Sequence, residues 1–206
     1  MDAFTFTSEL KTSDLPALRA LHTASYPFPW SASFFDEVAG ADHAVCLVFD
    51  AHELVGAIAI RLTKLGYSKD TGWGEWTSSK TGKRFYYHRH TRERTDDRPA
   101  AFVPEEELKD EKRYQAYVRS LVVHPTYRRR GLGRHLVDLM CERMAREKNC
   151  TVVYLHVMSN NAEAIPFYRA MGFEEAERLE KLYHFPDKNA TYDGLLMRKT
   201  LCMPVL

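Results

Sequence analysis

Residues 114–134 read YQAYVRSLVVHPTYRRRGLGR and decide the fold of this 206-residue chain. Their first part, residues 117–123, is rich in β-branched and apolar side chains, which is typical of a buried strand. Pro125 lacks the amide donor that would continue a strand. Beyond the basic turn, apolar residues recur at helical spacing, namely Leu132, Leu136, Leu139, Met140 and Met144. The stretch therefore predicts a strand, a basic glycine-containing turn and a helix.

A strand followed by such a turn and a helix is an arrangement that binds anions. The first amides of the helix point at the ligand, and the helix dipole favours negative charge. Three consecutive arginines, residues 128–130, add positive charge and can contact phosphate. The spacing is neither a Walker A loop nor a three-glycine dinucleotide fingerprint. Two interpretations fit the turn on its residues alone: a diphosphate cradle, or a solvent-exposed basic turn.

The composition of the chain excludes several functional classes. The formal net charge of +1 does not suggest a nucleic-acid-binding protein. Cys46, Cys141, Cys150 and Cys202 lack CxxC spacing, so we expect reduced, mostly buried thiols and no metal site. No apolar run reaches membrane length, and the first residues lack the pattern of a signal peptide. We expect a soluble, cytoplasmic protein without nucleic-acid or membrane partners.

The rest of the chain alternates between strand and helix patterns. Further strands are predicted at residues 4–7, 45–49, 54–60, 151–157, 173–185 and 192–201. Helices are predicted after the caps Thr12 or Ser13, after the cap Ser31, and between Ser159 and Gly172. The fold class is therefore α/β with a mixed sheet, and the ligand turn lies at the carboxyl end of a strand, where open α/β sheets bind ligands.

Residues 66–113 differ from the rest because they are rich in charge and poor in aliphatic side chains. Within them, residues 72–99 read GWGEWTSSKTGKRFYYHRHTRERTDDRP and resemble a WW domain, a small three-stranded binder of proline-rich peptides. Asp96 stands about where that family has its second, ligand-stacking tryptophan, which binding in a polyproline groove needs. The alternative is a solvent-exposed β-hairpin inserted between two core strands.

Two motifs in a fixed order connect the remainder to a known family. The first is Arg128-x-x-Gly131-x-Gly133 after a strand. The second is Asn161…Ala164-Ile165-x-Phe167-Tyr168-x-x-x-Gly172-Phe173. Together they resemble the GNAT acetyltransferases over almost all of the chain outside residues 66–113. This resemblance implies a single GNAT domain over residues 1–206, with a mixed central sheet that splays between two central strands and is flanked by helices.

Finer features are similar to those of the protein N-terminal acetyltransferases of the NatE catalytic subunit (San) and RimI type. They are Phe28-Pro29, residues 154–157 and Leu182-Tyr183-His184. The resemblance implies direct transfer of an acetyl group from acetyl-CoA to the α-amine of a protein or peptide N-terminus. It also implies auxiliary NatA or ribosome-associated subunits as partners. Competing hypotheses are a lysine or small-amine acetyltransferase, and an interaction protein that acts through the WW-like insertion.

The resemblance assigns a cofactor site and a catalytic site to numbered residues. The implied coenzyme A ligands are Leu121, Val122, Val123, Arg128, Arg129, Arg130, Gly131, Leu132, Gly133, Arg134, Asn161 and Tyr168. Tyr117 and His156 match a tyrosine and a histidine that remove the proton of the acceptor amine, which a histidine of ordinary pKa can do. From the residue pattern alone, a satisfied core histidine is the alternative. Tyr168 matches a tyrosine near the coenzyme A sulfur, either as a general acid or as a packing residue.

The implied substrate-binding residues are Phe28, Pro29, Trp30, Arg119, Tyr183 and His184. The aromatic loop at residues 26–30 has two interpretations, a hinge packed on the core or a lip over the substrate. Where this chain has Tyr183-His184 and Arg119, the relatives have two tyrosines and an apolar residue, so their preference for an initial methionine is not implied. We expect Arg119 to favour an acidic second or third residue in the acceptor.

Overall fold

The computed structural model describes residues 4–27, 29–64, 73–77, 81–88, 93–99, 114–185 and 189–201. The chain divides into two compact units, Met1–Thr63 with Gln115–Leu206, and Lys64–Tyr114. The strands are β1 (Phe4–Thr7), β2 (His43–Asp50), β3 (Glu53–Lys64), β4 (Trp73–Thr77), β5 (Arg84–His88), β6 (Arg94–Thr95), β7 (Tyr114–Val123), β8 (Cys150–Met158), β9 (Glu174–Phe185) and β10 (Ala190–Thr200). The helices are α1 (Leu15–Ser25), α2 (Ala32–Val38), α3 (Leu132–Lys148) and α4 (Ala164–Ala170), with short 3-10 helices at Thr12–Asp14 and Pro125–Tyr127.

The first unit is built on a seven-stranded sheet with the order β1-β2-β3-β7-β8-β10-β9. Two antiparallel hairpins flank the centre of the sheet, one formed by β2 and β3, with β1 paired outside β2, and the other formed by β9 and β10. Between them, β7 and β8 are joined through α3, the kind of crossover connection that parallel strands need. The predicted α/β class, with a mixed sheet flanked by helices, is confirmed.

Alternation along β7 decides which side chains enter the core. Ala116, Val118, Ser120 and Val122 are buried on one face, while the residues between them are half-buried on the other. A strand places successive side chains on opposite faces. Tyr117 therefore shares its face with the other odd-numbered residues of β7.

Helices complete the core by burying one apolar stripe each. On α3, the predicted residues Leu132, Leu136, Met140 and Met144 are all buried, whereas Leu139 is half-buried. The helices α1 and α2 contribute Leu18, Leu21, Phe34, Phe35 and Val38 to a core cluster with residues of the sheet. The described cysteines Cys46, Cys141 and Cys150 are buried and free, as predicted, while Cys202 lies outside the described residues.

One of the two predicted helix caps is confirmed. The Ser31 hydroxyl accepts a hydrogen bond from the Phe34 amide at 3.3 Å and begins α2. The prediction that Thr12 or Ser13 caps the first helix is wrong, because both lie in a 3-10 turn and α1 begins only at Leu15. The Asp14 carboxylate accepts from the Lys11 amide at 2.9 Å, which closes that preceding turn.

The second unit contains a small antiparallel sheet with the order β4-β5-β6. Tyr86 lies at its centre, opposite Glu75 on one side and Thr95 on the other, and is buried. Gly82 has φ +66° in the turn between β4 and β5, a conformation that glycine adopts without strain. An extra sheet thus exists where an insertion was predicted. Its identity as a WW domain stays a prediction.

Candidate active site

The structure brings together the two side chains that the sequence assigns to proton removal. The Tyr117 hydroxyl and the Nδ1 atom of His156 lie 3.2 Å apart, and their ring centroids are separated by 5.5 Å. Tyr117 lies on β7 and His156 on β8, the two strands joined through α3. Tyr154 extends the contact, with its ring centroid 5.1 Å from that of Tyr117. The catalytic roles of Tyr117 and His156 stay a prediction.

Burial sets the protonation states of this pair. It lowers the pKa of His156 below its ordinary value, while the nearby Glu177 carboxylate acts in the opposite direction. Burial also raises the pKa of the Tyr117 hydroxyl, and the guanidinium groups of Arg61 and Arg119 oppose that rise. At neutral pH the imidazole is therefore neutral and can accept a proton, and the phenol is protonated.

Two further tyrosines surround the pair. Burial raises the pKa of Tyr183 to about 12, with a further contribution from Tyr117. Burial also raises the pKa of Tyr168, and Tyr26, Tyr183 and Tyr117 all add to that rise. The ring of Tyr168 packs against that of Phe173 at a centroid separation of 5.5 Å. Both predicted roles of Tyr168, proton donation and packing, are compatible with a half-buried, protonated phenol.

The basic turn presents the start of a long helix. Gly131 has φ +83° and is the N-cap of α3, and its carbonyl accepts the first intrahelical bond from the His135 amide at 3.0 Å. The preceding amides, of residues 132–134, have no acceptor within the helix. The exposed side chains of Arg129 and Arg130 add positive charge beside them. This donor set fits a diphosphate group.

Arg128 makes different contacts from its two neighbours. Its Nε donates to the Val123 carbonyl and its Nη2 to the Ser25 carbonyl, both at 3.2 Å. The Tyr26 hydroxyl, next to Ser25, donates to the Leu121 carbonyl at 2.9 Å. Arg128 and Tyr26 therefore fasten the end of α1 to the end of β7. The role of Arg128 as a cofactor ligand stays a prediction.

Near its end, β7 directs alternate backbone groups toward β3 and toward its other neighbour, β8. The His124 amide donates to the Val55 carbonyl of β3 at 2.8 Å. Because successive strand residues direct their backbone groups to opposite edges, Leu121 and Val123 face away from β3. The side chains of Val122 and Leu132 are buried, so only their backbone groups can reach a ligand.

Asn161 holds the beginning of α4. Its Oδ1 accepts from the Ala164 amide at 3.0 Å, and its carbonyl accepts from the Ile165 amide at 3.2 Å. The ring of Phe167, on the same helix, lies 3.6 Å from the position that a Cβ atom on Gly133 would take. Phe167 of the second motif thus packs beside Gly133 of the first, which brings α4 into contact with the beginning of α3.

The predicted substrate residues lie in different environments. Phe28 is outside the described residues, and Pro29 is exposed. Trp30 is half-buried and packs on the core, with its ring 4.3 Å from Phe34 and 5.2 Å from His22. Tyr183 faces Tyr192 across the β9–β10 ladder.

The last two predicted substrate residues already have polar partners. His184 is exposed, and its Nδ1 lies 3.2 Å from the Thr191 hydroxyl. Arg119 forms an ion pair with Glu37, and its Cζ lies 5.2 Å from the ring centroid of Phe34. Arg119 therefore connects the aromatic core cluster around Trp30 with the surroundings of Tyr117, since it contacts Phe34 and acts electrostatically on Tyr117.

Sequence reasoning missed three residues of this site. Tyr26 could have been found, since it opens the aromatic loop that was singled out. Arg61, whose guanidinium lies over the Tyr117 ring, carries no signal beyond being a charge at the end of an apolar strand. Glu37, the partner of Arg119, lies 82 residues away from it in the sequence, on a helix whose packing the sequence does not specify.

Among the described residues, no three His, Cys, Asp or Glu side chains are grouped so as to hold a metal ion. None of the described helices is both long enough and apolar enough to span a membrane.

Comparison with known proteins gives matches over most of the chain. The family model described as Acetyltransferase (GNAT) family matches residues 15–173. The ribosomal protein bS18-alanine N-acetyltransferase of Escherichia coli (strain K12) is 24% identical over 196 residues, which cover 95% of this chain and 97% of that protein. The predicted resemblance to the GNAT superfamily and to the RimI type is confirmed.

Two solved structures show the same fold. NAA60 of Arabidopsis thaliana in complex with a bisubstrate analogue has a TM-score of 0.69 at 22% identity, covering 97% of this chain and 99% of that one. Naa50 of Arabidopsis thaliana in complex with the bisubstrate analogue CoA-Ac-MVNAL has a TM-score of 0.63 at 21% identity, covering 96% of this chain and 99% of that one.

Proposed function

Because the chain belongs to the GNAT family of acetyltransferases, we propose that it transfers the acetyl group of acetyl-CoA to the α-amine of a protein or peptide N-terminus. The likeness to the bS18-alanine N-acetyltransferase, over nearly the full length of both chains, supports this acceptor class. The observation that carries the proposal is the 3.2 Å contact between Tyr117 and His156, on two neighbouring central strands. The same likeness favours an α-amine over a lysine side chain.

The cofactor would be held by backbone groups more than by side chains. Acetyl-CoA supplies, when bound, an acetyl group activated as a thioester. The amides of residues 132–134 would hold its diphosphate, with Arg129 and Arg130 adding attraction. The amides of Leu121 and Val123 lie on the strand edge that would face the pantetheine arm and the thioester carbonyl, where backbone donors stabilise developing negative charge.

Proton removal from the acceptor is the task of Tyr117 and His156. An α-amine has a pKa of about 7.7–8.0, so a fraction of it carries an extra proton at neutral pH. The Tyr117 oxygen accepts a proton from the amine while its own hydroxyl proton passes to Nδ1 of the neutral His156. The imidazole ends the step with one more proton and the amine with one fewer. Burial keeps the imidazole neutral beforehand, because it lowers the pKa of His156.

The leaving thiolate requires a proton, which the Tyr168 hydroxyl would supply, and the proton that the acylated nitrogen releases would return to the Tyr168 oxygen. Burial raises the pKa of Tyr168, so its phenol is protonated at neutral pH. Transfer is direct, without an acyl-enzyme. The described cysteines are all buried, and burial raises the pKa of each thiol to about 11. They are therefore poor nucleophiles.

A peptide panel tests this function. The purified full-length chain is incubated with acetyl-CoA and with peptides in pairs, one with a free N-terminus and one with a blocked N-terminus and an internal lysine. We expect thiol release and an added acetyl group only on the free α-amines, located by fragmentation mass spectrometry. Acetylation of the blocked, lysine-containing peptides would favour the lysine alternative instead.

Auxiliary subunits and the place of action belong to the same proposal. Turnover by the purified chain alone would show that catalysis does not require a partner. Activity that appears only after addition of a ribosome-containing fraction would support an auxiliary subunit. We propose that the reaction takes place in the cytoplasm, which microscopy of a fluorescently tagged chain tests.

A further inference from the structure

Arg61 lies against the ring of Tyr117, the proposed catalytic tyrosine. The Cζ atom of Arg61 lies 5.5 Å from the ring centroid of Tyr117, a distance at which a guanidinium is attracted to an aromatic face. Arg61 is exposed and lies on β3, opposite His43 of β2. Within the described part of the chain, no carboxylate lies within ion-pair distance of its guanidinium. The guanidinium of Arg61 therefore lies beside Tyr117 without an acidic partner among the described residues.

Arg119 also lies near Tyr117, but its guanidinium is already paired with a carboxylate. Its guanidinium forms an ion pair with the Glu37 carboxylate and lies 3.4 Å from Nε2 of His43. Its side chain is only 18% exposed and covers the Phe34 ring. Binding a substrate carboxylate at Arg119 would break this pair. The sequence assigned recognition of an acidic residue to Arg119, but the contacts favour Arg61.

The charges around Tyr117 do not cancel. Glu37 is the partner of Arg119, and Arg61 acts on the Glu37 carboxylate only at longer range. His43 contributes no positive charge at neutral pH, because burial and the two arginines lower its pKa. Asp42, the residue before His43, acts electrostatically on that ring and opposes the fall of its pKa. Glu177, on β9, acts on His156. Beside the Tyr117 ring, the guanidinium groups of Arg61 and Arg119 thus face one directly paired carboxylate, and Arg61 keeps its positive charge available there.

We propose that Arg61 determines acceptor specificity by binding the carboxylate of an acidic side chain at the second or third residue of the peptide. This inference rests on the proposed function. In an extended peptide each residue advances about 3.3 Å. An α-amine at the Tyr117 hydroxyl therefore has its second and third residues roughly 3–7 Å away, which is comparable to the 5.5 Å between the Arg61 Cζ atom and the Tyr117 ring centroid. Arginine binds carboxylates in a planar, bidentate geometry that a neutral or basic residue cannot satisfy.

The test compares peptides that differ only in charge at the second and third residues. For each variant, kcat/KM is measured for Asp/Glu, Ser and Lys versions of one sequence. We expect the wild-type chain to prefer the acidic version, and Arg61→Gln to lower the ratio of acidic to neutral kcat/KM about tenfold, equivalent to about 1.4 kcal/mol. Arg61→Glu should reverse the order and favour the lysine version. The matched control is Arg146→Gln, an exposed arginine on α3, which should leave the ratio unchanged.

The outcomes separate this inference from the function on which it rests. If the wild-type chain acetylates no free N-terminus, the proposed function fails and the inference fails with it. If it acetylates them without an acidic preference, or if Arg61→Glu leaves the order unchanged, only the inference is overturned. Equal losses on all three peptides would also overturn it, because Arg61 would then act on Tyr117 and not on the acceptor. A lost preference in Arg119→Gln but not in Arg61→Gln would return the role to Arg119.

Discussion

At the scale of single residues, chemistry at the site depends on what surrounds each side chain. Tyr117 and Arg119 share a face of β7 because strand alternation requires it, and the sequence predicts that arrangement. The pairing of Arg119 with Glu37 was not predictable, because it depends on where α2 packs. Arg119 was predicted from the sequence to bind substrate, but in the fold its guanidinium is paired with Glu37.

The proton relay gives the first prediction. Tyr117→Phe and His156→Gln should each lower kcat about 100-fold or more, in line with the usual contribution of acid–base catalysis. The affinity for coenzyme A, measured by calorimetry, should not change. In the wild-type chain kcat/KM should rise with pH through the lowered pKa of His156, below 6.5, and this limb should be absent in His156→Gln. Tyr154→Phe, which removes the adjacent phenol, is the control and should keep the pH limb.

His22 gives a prediction about stability. It is 1% exposed among the rings of Tyr26, Trp30 and Phe34, and burial lowers its pKa to about 4. The unfolded chain binds this proton more readily, so the stabilisation is complete above about pH 6.5 and is lost as pH falls toward 4. The loss should reach about 3 kcal/mol of unfolding free energy.

Denaturant unfolding at several pH values measures this effect. His22→Phe keeps an aromatic ring in the pocket but has no proton to bind. Between pH 6.5 and 4, its stability should fall less steeply than that of the wild-type chain, since acidic groups elsewhere titrate in both. Parallel curves would mean that His22 does not titrate in this range.

At the scale of elements, one junction joins the end of α1, the end of β7 and the turn before α3. Arg128 contributes two hydrogen bonds to backbone carbonyls there, and Tyr26 contributes a third. The strand, the turn and the helix were all predicted from residues 114–134. The sequence could not show that α1 returns to this point, because the contact between Arg128 and Ser25 spans 103 residues.

This junction gives a prediction that separates two roles of Arg128. Arg128→Gln should lower the unfolding free energy of the cofactor-free chain by about 1 kcal/mol, because it removes charged hydrogen bonds to two carbonyls. Arg129→Gln, the neighbouring exposed arginine, should leave stability unchanged and weaken coenzyme A binding instead. Urea unfolding and calorimetry on both variants distinguish the cases. If Arg128→Gln loses affinity but no stability, Arg128 is a phosphate ligand and not a structural link.

At the scale of the whole molecule, the chain consists of two units with separate sheets. The second unit spans Lys64–Tyr114, and the change of composition lies at residues 66–113. That these residues are an insertion in a single GNAT domain stays a prediction. β3 and β7 flank this unit in the sequence and are neighbours in the main sheet. A short loop can therefore join them once the second unit is removed.

Deletion gives the prediction at this scale. Replacing residues 66–113 with a short glycine–serine linker should leave a folded chain whose melting temperature still rises on addition of coenzyme A. The physical reason is that the main core and the cofactor turn lie entirely in the first unit. An aggregated product, or one without a coenzyme A-dependent shift, would show that the first unit depends on the second.

The sequence by itself determined the α/β class, the strand–turn–helix that fits a diphosphate, and the family. These features come from local periodicity, from glycine and proline chemistry, and from motif spacing, all of which act over a few residues. Only the tertiary structure decided three contacts: His156 Nδ1 lies next to the Tyr117 hydroxyl, Glu37 forms an ion pair with Arg119, and the Arg61 guanidinium lies over the Tyr117 ring. The physical reason is that such contacts join residues far apart in the chain, and the packing of whole elements sets their distances.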